Sequence, residues 1–175
     1  TIVNGNPIPI DFPTKAWFWL SLSGIVGFAL GDLFLFKAFV EIGPRLSMLI
    51  MTLTAPTSAI LVLVFLQEEY LPYHWLGMLI TLLGVALVVL EKSDNKVRKR
   101  KVRKITYTGV IAALFGTIGQ ATGYVLSKYG MHTTEGYLDP FAATQIRVIA
   151  GTIGFMIIIT FRKSWKNVFI AIKNK

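Results

Sequence analysis

The stretch LSMLIMTLTAPTSAILVLVFL, residues 46–66, carries no charged side chain and has Pro56 near its middle. A helix of roughly 20 apolar residues is what crossing a bilayer core requires. Four more stretches are comparably long and apolar: residues 16–40, 75–90, 107–127 and 141–161. The 75–90 stretch is the shortest, and Tyr73 and Trp75 can extend it by sitting at headgroup level. Five such segments in one chain leave too little polar surface to cover them in water. Lipid cannot satisfy an exposed strand backbone, and the runs lack the alternation and turn spacing of a barrel. The expected fold class is therefore an all-α membrane protein, a polytopic transmembrane helical bundle with five spans.

Composition agrees. Hydrophobic residues make up 54% of the chain and charged ones only 15%, where soluble domains have about a quarter charged. No cysteine is present, which excludes disulfides, thiolate metal sites and a cysteine nucleophile. The opening TIVNG has no initiator methionine and no signal-peptide pattern, and reads as part of something longer.

Of the 18 basic residues, 8 lie between Lys92 and Lys104, around the run VRKRKVRK. The remaining charge is close to balanced, so the chain lacks the spread basic face of a nucleic-acid binder. Loop charge sets orientation in membranes. The N-terminal segment and the 67–74 and 128–139 loops hold only Lys15 and Lys128, whereas the 41–45 turn, the 91–106 linker and the tail from Arg162 hold 14 basic residues. The second side is expected to be cytoplasmic, with anionic lipid headgroups as partners of residues 96–104.

Several residues inside the spans are too polar or too small to be lipid-facing filler. Ser23, Gly27 and Gly31 recur every four residues and invite close approach of a neighbouring helix. Asp32 follows them. A carboxylate there is either an interfacial residue near the cytoplasmic end or a cavity-lining group able to bind a proton, which leaves proton coupling open. Lys37 and Glu41 are spaced to pair along the helix.

Pro56 cannot donate to the Thr52 carbonyl and is expected to kink the second span, among Thr52, Thr54, Thr57 and Ser58. Such a break is either a packed structural kink or part of a transporter binding site. Ala112, Gly116, Gly119, Gln120, Gly123 and Ser127 share one helical stripe. Close packing explains its glycines but not Gln120. Arg147, about two turns into the last span, either snorkels to the interface, fixes an anion or pairs with a carboxylate such as Asp32. The substrate or cavity candidates are thus Asp32, Thr52, Pro56, Ser58, Gln120 and Arg147. His74 and His132 lack ligand spacing, so neither a metal site nor a cofactor is expected.

The order of short motifs, Phe36-Lys37-Ala38, Ile42-Gly43-Pro44, Leu53-Thr54-Ala55-Pro56, Phe65-Leu66-Gln67-Glu68, Leu76-Gly77-Met78-Leu79-Ile80 and Leu83-Gly84-Val85, resembles the EamA domain of the drug/metabolite transporter superfamily. The resemblance covers residues 17–90 as the last three helices of one five-helix repeat. The segment 111–161, with Tyr124-Val125-Leu126-Ser127-Lys128 and Arg147, looks like the first two helices of a second. It implies a domain order of 1–91 (first repeat), 92–106 (basic linker) and 107–175 (second repeat), within a ten-helix inverted-repeat transporter. The implied function is secondary transport of small metabolites, amino acids or drugs by alternating access, in a bacterial or archaeal inner membrane. The partners are a small-molecule substrate and the missing helices or a dimer partner.

The resemblance further marks Pro56 as the helix break, Glu68 as the acidic residue closing the second span, and Gly77 and Gly84 as packing glycines. Characterised members usually keep both termini cytoplasmic, which would place the linker outside. The charge rule places it inside.

Two other functions compete. Ala29-Leu30-Gly31-Asp32 comes near the GxGD signature of intramembrane aspartyl proteases, but alanine replaces the first glycine and no other span contains an aspartate. A non-transporting scaffold acting through the polybasic linker is the other. Replacing that linker's lysines and arginines by glutamine would abolish scaffold binding but spare transport.

Overall fold

The computed structural model describes residues 12–90, 106–133 and 136–161. The basic linker, its expected lipid contacts at 96–104 and the C-terminal tail lie outside the described residues, save for Thr106.

The first span is one long helix in three parts: α1, Thr14–Gly24, a π-helical segment, Ile25–Gly31, and α2, Asp32–Glu41. The chain turns at Gly43, whose φ of +86° suits a residue without a side chain, and Pro44 opens α3, Pro44–Met51, where its missing N–H costs nothing. The second span continues as α4, Thr54–Leu66, and ends at Gln67 in the left-handed conformation. Then follow α5, Pro72–Leu90, and α6, Tyr107–Met131. A hairpin of two short strands, β1, His132–Thr133, and β2, Gly136–Tyr137, pairs His132 with Tyr137 and leads into α7, Pro140–Phe161.

Four helices, Thr14–Glu41, Pro44–Leu66, Tyr107–Met131 and Pro140–Phe161, are long and apolar enough to cross a membrane. The chain is a helical, integral, multi-pass membrane protein. Of the five expected spans, these are four, and the 75–90 stretch folds within α5, an apolar helix of 19 residues. At a rise of 1.5 Å per residue it covers about 29 Å, close to a hydrocarbon core of about 30 Å.

The helices form a row: α7, the first span, α6, the α3–α4 span, and α5 at the edge. The first span is gripped from both sides. α6 runs antiparallel to it, with Gly130 beside Leu20 at one end and Gly109 beside Ile42 at the other. α7 runs parallel to it, Arg147 against Gly24 and Gly151 against Phe28. These two helices flank the first span with little contact between themselves.

Burial is the reverse of a soluble core. Ala29, Ala38, Ala113, Ala121, Ser23 and Ser47 are buried, while Phe36, Phe65, Leu79, Leu83 and Leu87 are exposed. Lipid tails are as apolar as leucine, so burying large side chains gains little, and close backbone contact between small residues holds the bundle together. A Cβ built on Gly123 would lie 2.7 Å from the Gly27 Cα, and one on Gly24 only 2.2 Å from the Arg147 carbonyl oxygen. The Ser23 hydroxyl adds a 2.6 Å hydrogen bond to the Gly123 carbonyl.

Candidate functional site between the first span, α6 and α7

The glycines of the first span make the site possible. Gly27 and Gly31 let α6 approach until Gln120 reaches the carboxylate of Asp32, and its Nε2 donates a hydrogen bond to Asp32 Oδ1. The sequence offered these as two separate polar oddities, and the fold joins them. The widened π turn ends at Gly31 and hands directly on to Asp32. Such turns are rare and gather at functional sites.

One turn away, Arg147 reaches from α7 to the first span and α6. It is 8% exposed, so its side chain does not snorkel out to the interface. Its guanidinium sits between two rings, 5.0 Å from the Phe28 centroid and 5.4 Å from that of Tyr124. Phe28 precedes Asp32 by four residues and Tyr124 follows Gln120 by four, so both ends of the site are built on the same two helices. The Nε and Nη2 atoms of Arg147 are buried without a hydrogen-bond partner. A charge this deep is costly unless something neutralises it.

The other candidates are arranged differently. Thr52 and Leu53 interrupt the second span between α3 and α4, so the break falls one turn before Pro56, which sits in the first turn of α4. The backbone tightens there: Thr52 N–H donates to Leu49, Leu53 to Ile50, and Ala55 to the Thr52 carbonyl that Pro56 cannot serve, the last at 3.4 Å. The hydroxyls of Thr52 and Ser58 are spent locally, on the Leu49 and Ala55 carbonyls at 2.6 and 2.8 Å. The break touches α6 through the Thr117 hydroxyl, 3.3 Å from the Ile50 carbonyl. Thr52, Pro56 and Ser58 therefore stand on the other flank of α6 from Arg147, and the structure does not bring them onto the Asp32–Gln120 pair.

Glu68 closes the second span by an ion pair with Lys128 at the end of α6. Near it, a cavity of about 450 Å³ lies between Trp19, Phe65, Val125 and Tyr129, and it adjoins a more polar opening lined by Lys15, Glu68 and His132. Gly77 and Gly84 have nothing within 4 Å of a built Cβ among the described residues, because α5 sits at the edge of the row. Lys37 and Glu41 pair as their spacing suggested, at 3.9 Å. Phe28, Tyr124 and Thr117 were not singled out as site residues in the sequence. The i, i+4 relation of Tyr124 to Gln120 was the available signal.

Small-residue helix contacts, a broken second span and polar groups buried between apolar helices define a multi-pass membrane protein with a polar interior. Residues 2–90, just over half the chain, match the family model described as the EamA-like transporter family. The chain belongs to that family, and with it to the drug/metabolite transporter superfamily. No curated protein and no solved structure gives a significant match.

Proposed function

We propose that the chain contributes the central part of a secondary transporter that moves a small metabolite by alternating access, with Asp32 and Gln120 at the substrate-facing polar centre. The observation that carries this is the Asp32–Gln120 hydrogen bond. It is formed between two spans, beside a π-helical turn, where an isolated carboxylate would cost about 2.5–3.5 kcal/mol on insertion scales. Nothing in helix packing alone calls for a carboxylate there. Its proton affinity can couple substrate movement to a proton gradient. The bent second span supplies the flexible wall, and residues 92–106 join the two inverted halves on the cytoplasmic side. The exposed face of α5 is where further helices, or a second copy, complete the cavity.

Counterflow in proteoliposomes, screened over amino acids and other small metabolites, tests the reading. Asp32→Asn and Gln120→Ala are each expected to lower counterflow by about tenfold, the effect of one lost hydrogen bond to a charged group. Undiminished counterflow in both variants removes these residues from the site.

A further inference from the structure

The two nitrogens of Arg147 that lack partners are not an arbitrary pair. Nε and Nη2 form the side-on edge of a guanidinium, the edge whose two N–H bonds run parallel and match the two oxygens of a carboxylate. The rings of Phe28 and Tyr124 flank the guanidinium, and Gly27, whose built Cβ would come within 3.3 Å of the Gly123 Cα and 3.9 Å of Nη2, lets Nη2 lie close to the backbone of the first span. The carboxylate nearest along the same helix, Asp32, is already engaged by Gln120. What remains is a buried guanidinium edge that no described side chain or carbonyl satisfies.

We propose that the side-on edge of Arg147 is the carboxylate-binding subsite of this transporter, and that its substrate is a small organic acid whose apolar part packs on Phe28 and Tyr124. The proposal rests on the transporter reading only in making the acid a transported one. The subsite itself is a matter of binding. Arginine suits the task better than lysine because its planar fork is charged at all relevant pH values and fits two oxygens at once.

The probe is benzoate, titrated calorimetrically into the purified chain in nanodiscs of neutral phosphatidylcholine, with benzamide as a neutral molecule of the same shape. Saturable benzoate binding without benzamide binding is expected. Arg147→Lys keeps the charge but loses the fork, and should weaken benzoate by about tenfold. Because Arg147 is buried, Tyr124→Leu serves as a variant at a half-exposed position. It should weaken benzoate severalfold and leave the fold intact by circular dichroism.

Equal binding by wild type and Arg147→Lys overturns the proposal. So does benzoate binding that emerges only in Asp32→Asn, because Arg147 would then be the counter-ion of Asp32. Benzoate binding without counterflow of any acid supports the subsite and counts against the transporter reading. Counterflow of uncharged solutes without benzoate binding does the reverse.

Discussion

At the scale of the residue, glycines of one composition divide into two kinds by what faces them. Gly24 and Gly123 have backbone of a neighbouring helix within 2.2 and 2.7 Å of a built Cβ, so even alanine must push two helices apart. Gly24→Ala and Gly123→Ala are expected to cost about 1–3 kcal/mol, as overpacking does, seen as earlier thermal unfolding in detergent. Gly77→Ala and Gly84→Ala meet open space and should be neutral or gain up to about 1 kcal/mol from helix propensity. Destabilisation by the second pair would show that α5 packs against helices or a copy beyond this chain. The periodicity of Ser23, Gly27 and Gly31 was legible in the sequence because small residues every four positions have one physical use. The partner of Asp32 was not, since a single sequence shows which residues share a face but not which faces meet. Gln120 could be flagged as unexplained, and only the approach of α6 explained it.

At the scale of the element, the second span shows how a proline acts ahead of itself. Pro56 removes one donor, and the helix answers one turn earlier with tightened bonds at Thr52, Leu53 and Ala55. A disturbance was predictable from the missing N–H, and the helix is interrupted at Thr52 and Leu53, where the Thr52 and Thr54 hydroxyls bind the Leu49 and Met51 carbonyls. Pro56→Ala restores a donor to the Thr52 carbonyl. It should raise thermal stability, by less than the ~3 kcal/mol of a mid-helix proline because Pro56 lies in a first turn. Counterflow should fall if the break is a moving wall, and a variant both stabler and fully active would make it a packing feature. The π segment was illegible for a related reason. Its residues Ile25–Gly31 carry no sequence signal for a wide turn, and Gly27 and Gly31 within it lie in close contact with α6.

At the scale of the whole molecule, α6 comes after the basic linker yet makes its main contacts with the two spans before it. The fold class and four of the spans were readable from apolar runs, since lipid leaves helices few alternatives. The row order of the helices was not, because an all-apolar surface carries little record of its neighbours. If small-residue contacts hold the two parts together without a covalent link, residues 1–91 and 106–175 expressed as separate chains should co-purify. Gly123→Leu in the second piece should abolish the association, and recovery of each piece alone from the wild-type pair would contradict this packing.

The hydrogen bond from Ser23 to Gly123 also sets a schedule. Its two ends are 100 residues apart, and ribosomes add about 5–20 residues per second. The glycine face of the first span therefore waits in the bilayer for about 5–20 s before α6 is synthesised. For that interval Asp32 has no Gln120 to bind, and the newborn helix must be sheltered by lipid, water or an insertion factor until its partner arrives.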